Sequence, residues 1–221
     1  EYSVSLAIFD LDNTLLGGDS DHAWGQFLVS HGIVDGGDYQ QKNDYFYQQY
    51  TNGGLNIDEF LAFALKPLAE HSRQQLNRWH AEFMREAIDP IRLPKAALLL
   101  EKHRAAGDFL LIITATNEFV TGPIAASMGV DHILATVPQM VNNAYTGEVD
   151  GTPCFQEGKV TRLYEWLTQT GNDLKDSYFY SDSHNDLPLL KLVDHPIAVD
   201  PDNILEQYST EHGWPIISLR D

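Results

Sequence analysis

The sequence predicts an α/β protein in which a parallel-sheet core carries an all-helical segment inserted after the first strand. Two observations predict this class. Short apolar runs alternate with helix-length segments along much of the chain, which is typical of a parallel sheet covered by helices on both faces. From about Gly17 to Leu93, by contrast, the pattern is helical throughout. The chain has 221 residues, 43% of them hydrophobic, and can therefore bury a sizeable core.

Six short apolar runs are predicted as strands. In chain order they cover residues 4–9, 109–113, 132–137, 177–180, 196–199 and 215–218. The stretch 138–151 contains Asn-Asn, Thr-Gly and Asp-Gly turn signals, which predict a small hairpin.

Two helices of the inserted segment have clear start signals. Asn56 with Glu59 fits a capping box, and Ser72 with Gln75 begins a second helix. Each is followed by apolar residues that recur on one helical face. The first stripe is Ile57, Phe60, Leu61, Ala64, Leu65 and Leu68, and the second is Leu76, Trp79, Phe83 and Ala87. We therefore predict a helical cap domain over residues 17–93 and a core built from residues 1–16 and 94–221.

Charge and composition limit the possible partners. The formal net charge is −18, with 14 Lys and Arg against 32 Asp and Glu, which argues against nucleic acid or anionic lipid as a partner. The apolar run 109–115 is far shorter than the roughly 18 to 20 residues of a membrane-spanning helix. No signal peptide is expected, since no basic region followed by an apolar stretch opens the sequence. The single cysteine, Cys154, excludes an internal disulfide and favours a reducing cytoplasm. We expect a monomer or a homodimer.

The first chemical motif lies where the first predicted strand ends. The run "LAIFDLDNTLL", residues 6–16, places Asp10 and Asp12 two residues apart, so their carboxylates point the same way if the extended backbone continues through Leu11. Ligands of open parallel sheets bind at the carboxyl ends of the strands. The two aspartates are therefore candidate site residues. The alternative is a simple turn, because Asp and Asn are common turn formers.

Two further candidates are a hydroxyl and a cation. The run "FLLIITATN" predicts a buried strand that ends at Thr114, whose hydroxyl could donate to a phosphoryl oxygen at the same edge of the sheet. The alternative is helix capping, for which Asn117 competes. Lys159 stands at the start of a predicted helix, where a cation opposes the helix dipole at a cost of about 0.3 to 1 kcal/mol. This position suits a lysine that neutralises an anion, and a solvated surface lysine is the alternative.

The fourth motif is "YFYSDSHNDLPLL", residues 178–190, in which a predicted strand runs into Asp182, Asn185 and Asp186. A carboxylate at this place could join Asp10 in binding Mg²⁺, which prefers hard oxygen ligands. The cation would make the clustered carboxylates tolerable and would bridge a phosphate to the protein. The alternative is that Ser183 or Asn185 only caps the following helix.

In this order, these residues resemble the four motifs of the haloacid dehalogenase superfamily of phosphohydrolases. The matching positions are Asp10-Leu11-Asp12-Asn13-Thr14, Thr114, Lys159 and Asp182-Ser183-His184-Asn185-Asp186, and they span most of the chain. The chain is similar to subfamily IB, which includes phosphoserine phosphatases. The resemblance implies a Rossmann-like core with a type 1 helical cap inserted after strand one.

The resemblance also implies a phosphatase mechanism. Asp10 is expected to attack phosphorus and form an aspartyl-phosphate. Asp12 is expected to protonate the leaving alkoxide and then to deprotonate the hydrolytic water. Mg²⁺ is the implied cofactor, with Asp10, the backbone carbonyl of Asp12 and Asp182 as ligands and Asp186 acting through water.

Phosphate binding is implied for four positions. Thr114 and Lys159 would grip the phosphoryl oxygens and count as catalytic, with Ala115 beside them. Asn185 would hold the loop or touch the phosphate.

The expected substrate is a small-molecule phosphate ester with a cationic amine and no carboxylate, such as an amino-alcohol phosphate. Asp19 stands nine residues after Asp10, where phosphoserine phosphatases carry a Glu that meets the substrate amine. Ala62 and Phe63 stand about where that family places an Arg for the substrate carboxylate, and a carboxylate without this Arg would bind poorly.

Three alternatives are kept open. Two are a phosphoserine phosphatase and a histidinol phosphate phosphatase. The third belongs to another class, a receiver-type phospho-acceptor in signalling, which multiple turnover on a small phosphate ester would exclude.

Overall fold

A computed structural model describes residues 4–221, and seven strands within them form one sheet. The strands are β1 (Leu6–Phe9), β2 (Phe109–Asn117), β3 (His132–Val141), β4 (Ala144–Asp150), β5 (Tyr178–Ser181), β6 (His195–Val199) and β7 (Ile216–Ile217). Their order across the sheet is β4-β3-β2-β1-β5-β6-β7, and all neighbours are parallel except β3 and β4. The predicted α/β class with a mainly parallel sheet is confirmed.

Nine α-helices lie in the described residues. They are α1 (Ser20–Ser30), α2 (Gly36–Thr51), α3 (Ile57–Glu70), α4 (Arg73–Phe83), α5 (Pro94–Ala106), α6 (Glu118–Met128), α7 (Glu157–Thr170), α8 (Leu187–Leu190) and α9 (Asn203–His212). A π-helical turn (Met84–Ile88) and a 3-10 turn (Asp89–Ile91) continue α4, and another 3-10 turn covers His184–Asp186. Within residues 4–221 no helix has both the length and the apolar character needed to cross a membrane.

The six predicted strands are present, although several of their ends differ from the prediction: β3 runs on to Val141, and β7 covers only Ile216–Ile217. β1 begins at Leu6, two residues after the predicted start, and β2 runs on through Asn117 instead of ending near residue 113. The predicted hairpin is formed by β3 and β4. Asn142 and Asn143 at its turn have φ of 50° and 63°, a left-handed conformation that Asn tolerates better than most residues. Residues 1–3 of the predicted core segment lie outside the described residues.

The segment of residues 17–93, after β1, contains α1 to α4, and α5 follows it before β2 begins. Both predicted start signals are present, since the Asn56 side chain accepts from the N–H of Glu59 and the Ser72 hydroxyl accepts from the N–H of Gln75, each at 3.2 Å. The two ends of the segment meet, because the N–H of Gly17 donates to the carbonyl of Ile91 at 2.8 Å. We propose the division into a cap, residues 17–93, and a core on this basis.

Both faces of the sheet are buried. Side chains alternate along β1, so Ala7 and Phe9 pack in the apolar cluster that includes the cap helices, whereas Leu6 and Ile8 pack in the cluster that includes α7. All four residues of β1 are buried. β1 lies between β2 and β5 in the sheet. Asp10, Thr114 and Asp182 lie near the carboxyl ends of these three strands, at the edge where ligands of such sheets bind.

Candidate active site

Asp10 directly follows β1, and Asp12 begins the turn that comes next. The N–H of Asp10 still pairs with β5, donating to the carbonyl of Tyr180 at 2.9 Å. The turn itself covers Asp12 to Leu15, and within it Asn13 takes a left-handed φ of 58°. The turn interpretation is thus correct for the backbone from Asp12 onwards. Both carboxylates nevertheless line one pocket.

Two donors hold the buried carboxylate of Asp12. The N–H of Ser20 donates to Oδ1 at 2.7 Å, and the hydroxyl of Thr116 donates to Oδ2 at 2.6 Å. Burial, and after it the charge of Asp19, raises the pKa of Asp12 to about 7, although the two hydrogen bonds act in the opposite direction. A carboxyl with this pKa exchanges its proton near neutral pH, as a general acid and base must. Thr116 is a site residue that the sequence pattern did not single out, although it belongs to the same Thr-Ala-Thr stretch as Thr114.

Lys159 is buried between two carboxylates. Its side chain is only 2% exposed, and its Nζ lies 3.0 Å from Oδ1 of Asp10 and 2.8 Å from Oδ1 of Asp186. Burial alone would lower the pKa of Lys159, but the charges of Asp10 and Asp186 outweigh it and raise this pKa above its ordinary value. The hydroxyl of Ser181 also donates to Asp186, at 2.6 Å. The surface-lysine alternative is therefore wrong, and Lys159 is a buried cation bonded to Asp10, which lines the pocket.

The Thr14 hydroxyl connects Asp10 with Asp182. Its oxygen lies 3.2 Å from Oδ2 of Asp10 and 3.0 Å from Oδ1 of Asp182, and it accepts a hydrogen bond from the N–H of Asp182 at 3.1 Å. One hydroxyl proton cannot serve both carboxylates at once. Burial, and then the charge of Asp10, raises the pKa of Asp182 well above its ordinary value.

The donor chemistry of this cluster fits a hard divalent cation. Asp10, Asp182 and Asp186 bring three carboxylates together, and Lys159 is the one cation bonded to them within residues 4–221. The cluster therefore has an excess of negative charge and of oxygen donors, which is the environment that Mg²⁺ prefers.

Thr114 is not at the end of its strand. β2 continues to Asn117, and its register against β3 shifts between Ile113 and Asn117, so the strand is irregular where Thr114 lies. Thr114 and Ala115 both line the pocket with Asp10. The capping role belongs to Asn117, whose side chain accepts from the N–H of Val120 at 3.2 Å and starts α6. Thr114 is thereby left to face the pocket.

Asp19 and Asp21 bring two more carboxylates to the pocket, from the start of α1. Asp19 caps this helix, since its Oδ1 accepts from the N–H of His22 at 2.8 Å. Burial is the largest cause that raises the pKa of each group to about 7. The second cause is the charge of Asp21 for Asp19 and the charge of Asp12 for Asp21. The sequence pattern revealed Asp19 only through the family resemblance, and it did not reveal Asp21.

Aromatic rings of the cap form the opposite wall of the pocket. They are Phe46, Tyr47, Tyr50 and Phe60, from α2 and α3. In the described part of the chain, the residues that line this pocket include neither Lys nor Arg. Phe63, where the related phosphatases place an Arg, packs instead against Tyr39 at 4.5 Å between ring centroids, and Ala62 is exposed. The pocket is therefore acidic and aromatic.

Asn185 joins the cap to the core. Its Nδ2 donates to the backbone carbonyl of Tyr50 at 3.0 Å, and its Oδ1 accepts from Nε2 of Gln156 at 3.0 Å. Gln156 immediately precedes α7, the helix that carries Lys159. The amide thus holds loops together, which is one of its two expected roles. The predicted capping by Ser183 is also present, since its hydroxyl accepts from the N–H of Asn185 at 3.1 Å.

A close contact between Gly53 and His184 lies beside this hydrogen bond. Gly53 has a φ of +74°, and a Cβ added to it would lie 2.6 Å from Nε2 of His184. The other ring nitrogen of His184, Nδ1, is bonded to Asp202 at 2.7 Å, so the ring cannot easily move aside. The end of α2 can approach the core this closely because residue 53 has no side chain.

The chain is similar to proteins of one hydrolase family. A model of the haloacid dehalogenase-like hydrolase family matches residues 7–191. A histidinol-phosphatase from Neisseria meningitidis serogroup C (strain 8013) is 47% identical over 220 residues, which cover 98% of this chain and 99% of that protein. A phosphoserine phosphatase from Mycobacterium tuberculosis (strain ATCC 25618 / H37Rv) is 30% identical over 223 residues, which cover 98% of this chain and 71% of that protein.

Solved structures share the fold. A crystal structure of a protein from Bordetella pertussis Tohama I has a TM-score of 0.93 at 44% identity, covering 98% of this chain and 99% of that one. A substrate-bound phosphoserine phosphatase has a TM-score of 0.72 at 16% identity, covering 100% of this chain and 95% of that one. At 16% identity the second likeness shows the fold alone.

Proposed function

Because the chain belongs to the haloacid dehalogenase-like hydrolase family and is a phosphatase, we propose that it hydrolyses a small phosphomonoester with Mg²⁺ through an aspartyl-phosphate intermediate. One observation carries the proposal. Asp10, Lys159, Asp182 and Asp186 form a single bonded cluster at the carboxyl edge of the sheet, and the proton-exchanging Asp12 lines the same pocket as Asp10. A nucleophile, a fixed cation and an acid are thus in reach of one phosphoryl group.

The reaction divides into two displacements. In the first, a carboxylate oxygen of Asp10 bonds to phosphorus as the bond from phosphorus to the ester oxygen breaks, and protonated Asp12 gives its proton to the leaving alkoxide. In the second, Asp12 takes a proton from a water molecule that attacks the phosphorus of the aspartyl-phosphate. Inorganic phosphate leaves, and Asp10 and the protonated Asp12 are regenerated.

Further residues orient the phosphoryl group. Lys159 holds the Asp10 carboxylate in place and supplies positive charge beside the phosphoryl oxygens, and the Thr114 hydroxyl donates to one of them. Asp10, Asp182 and the backbone carbonyl of Asp12 would hold Mg²⁺, with Asp186 acting through water, and the ion would neutralise charge on those oxygens. Asn185 contributes by fixing the loop and the cap.

The proposed substrate is an amino-alcohol phosphate, and histidinol phosphate is the leading candidate. The relative that is 47% identical over nearly the whole chain is a histidinol-phosphatase. The acidic and aromatic pocket supports the same class, because it offers carboxylates to an amine and no Lys or Arg, among the residues lining it in the described chain, to a substrate carboxylate. Phosphoserine, which carries that carboxylate, fits less well.

A phosphate-release screen tests this function. The purified chain with Mg²⁺ is offered histidinol phosphate, phosphoserine, phosphoethanolamine, phosphocholine and sugar phosphates. We expect repeated turnover on histidinol phosphate and loss of all turnover in Asp10→Asn. Turnover that persists in Asp10→Asn would show that Asp10 is not the nucleophile, and a single phosphorylation without turnover would indicate the receiver-type alternative.

The remaining expectations rest on the sequence. We propose a monomer or a homodimer that acts on a small molecule and not on nucleic acid, in keeping with the net charge of −18. The cytoplasm stays the proposed compartment on the cysteine content alone.

A further inference from the structure

The pocket contains a carboxylate that the proposed mechanism does not use. Asp21 lies in the first turn of α1 and lines the pocket together with Asp10, Asp12 and Asp19. Asp10 is placed to attack phosphorus, and Asp12 is bonded by Ser20 and Thr116. Among the hydrogen bonds found between described residues, none involves the Asp21 side chain. The presence of the Asp21 carboxylate in the pocket is therefore not explained by the phosphoryl chemistry.

Asp21 works with Asp19. Asp19 uses Oδ1 to cap α1, which fixes its side chain. The charge of Asp21 is close enough to raise the pKa of Asp19, and the charge of Asp12 raises that of Asp21, so all three carboxylates lie around one small space. Crowded carboxylates are stabilised by a cation between them.

The surroundings favour an organic cation at this place. Phe46, Tyr47 and Phe60 line the same pocket, and rings of this kind bind cations and planar groups on their faces. Tyr47 already stacks on His22, with 4.7 Å between the centroids, and Nε2 of His22 is bonded to Asp44 at 2.8 Å. Nε2 of His22 is therefore engaged with Asp44 within the cap, and the carboxylates of Asp19 and Asp21 are the anionic groups of α1 that line the pocket.

We propose that Asp21 is a specificity-determining residue that binds the substrate ammonium together with Asp19 and repels substrates with a carboxylate beside the amine. This inference rests on the proposed phosphatase function and deepens it. It adds a second anion to the single acidic position that the family resemblance indicates. Asp21 discriminates between an amino alcohol phosphate and the corresponding amino acid phosphate by charge alone, so no bulky side chain is required to exclude the latter.

Asp21→Asn tests the assignment with a nearly unchanged shape. kcat and KM are measured for histidinol phosphate and for p-nitrophenyl phosphate, which has no amine. Because one charge-assisted contact to the substrate amine is lost, we expect kcat/KM for histidinol phosphate, divided by kcat/KM for p-nitrophenyl phosphate, to fall by about 10- to 100-fold. The fall should come mainly from a higher KM for histidinol phosphate. Asp38→Asn is the matched control, because it removes one charge from an exposed ion pair with Lys42 on α2, away from the pocket. We expect its ratio to stay at the wild-type value.

A binding measurement on the wild-type chain needs no variant. Histidine has a carboxylate where histidinol has a hydroxymethyl group, and both are tested as competitive inhibitors of p-nitrophenyl phosphate hydrolysis. We expect histidinol to inhibit at least about 10-fold more strongly. Equal inhibition, or an Asp21→Asn variant that loses both activities in the same proportion, would overturn the ammonium assignment while the phosphatase function stands. A wild-type chain that hydrolyses neither substrate would overturn both.

Discussion

Replacing Asp182 by Asn tests whether the carboxylate cluster is a source of instability that a divalent cation relieves. The Thr14 hydroxyl lies about 3 Å from an oxygen of Asp10 and from an oxygen of Asp182. The two carboxylate oxygens are therefore at most about 6 Å apart. At an effective dielectric constant of about 20, two like charges at that distance repel by about 3 kcal/mol. Asp182 is partly exposed, and solvent screening reduces the value, so we expect roughly 1 to 2 kcal/mol.

Asn at position 182 removes this repulsion and keeps an oxygen that can accept from Thr14. We therefore expect Asp182→Asn to be more stable than the wild type in EDTA, by roughly 1 to 2 kcal/mol. Saturating Mg²⁺ should stabilise the wild type by about 2.7 kcal/mol at 100 times its dissociation constant and should have little effect on the variant. Activity should fall by at least about 100-fold, because a metal ligand is lost.

Urea unfolding in EDTA and in Mg²⁺ measures both effects. Asp38→Asn, which neutralises an exposed carboxylate, controls for the general benefit of a lower net charge. An Asp182→Asn protein less stable than the wild type in EDTA would refute the reasoning, because it would mean that the hydrogen bonds of Asp182 outweigh its repulsion from Asp10. A Mg²⁺ effect of wild-type size in the variant would refute Asp182 as a ligand.

Three other predictions concern the cluster, the cap contact and a cap histidine. Lys159→Met leaves Asp10 and Asp186 without their buried cation, so the unfolding free energy in EDTA should fall by about 3 to 5 kcal/mol, and unchanged urea stability would contradict the buried ion pairs. Gly53→Ala adds a Cβ to a left-handed backbone and places it against His184. It should therefore lower the unfolding free energy more than Gly32→Ala does, since Gly32 has a φ of +65° but no neighbour within 4 Å of an added Cβ. kcat/KM of Gly53→Ala should also fall, and an equal loss of unfolding free energy in the two variants would argue against the cap contact. Burial lowers the pKa of His80, whose Nε2 bonds to the carbonyl of Val120 at 2.8 Å. As the pH falls, His80 is therefore protonated more readily in the unfolded chain than in the folded chain. Stability relative to His80→Gln should therefore fall as the pH drops below about 6.5, and a pH-independent difference in unfolding free energy would contradict it.

Much of the fold could be predicted because short-range patterns report it. The strands follow from apolar runs bounded by polar residues, and the starts of α3 and α4 follow from Asn56 and Ser72, whose side chains need only the next few N–H groups. The end of β2 was misplaced at Thr114, because the strand continues through an irregularity that depends on its neighbour β3. A single-strand pattern contains no information about the partner's register.

The candidate site residues could be predicted from side-chain type and from their order along the chain, but the residues to which they are hydrogen-bonded could not. Asp10, Lys159 and Asp182 stand out because charged groups at strand ends or helix starts need a reason. Thr116 and Asp21 did not stand out, since hydroxyls and acids near helix starts are ordinary in sequence. Only folding brings Thr116 against Asp12, 104 positions away, and turns Asp21 towards the pocket.

The sequence by itself determined the alternation of strands and helices, the helical insertion and the set of groups available for phosphoryl chemistry, because these depend on side-chain type and local spacing. The tertiary structure alone decided which of those groups are bonded to one another, which are buried and which bridge the cap to the core. Burial and charge proximity arise only when distant segments pack together, and they give Asp12 its raised pKa and Lys159 its two carboxylate partners.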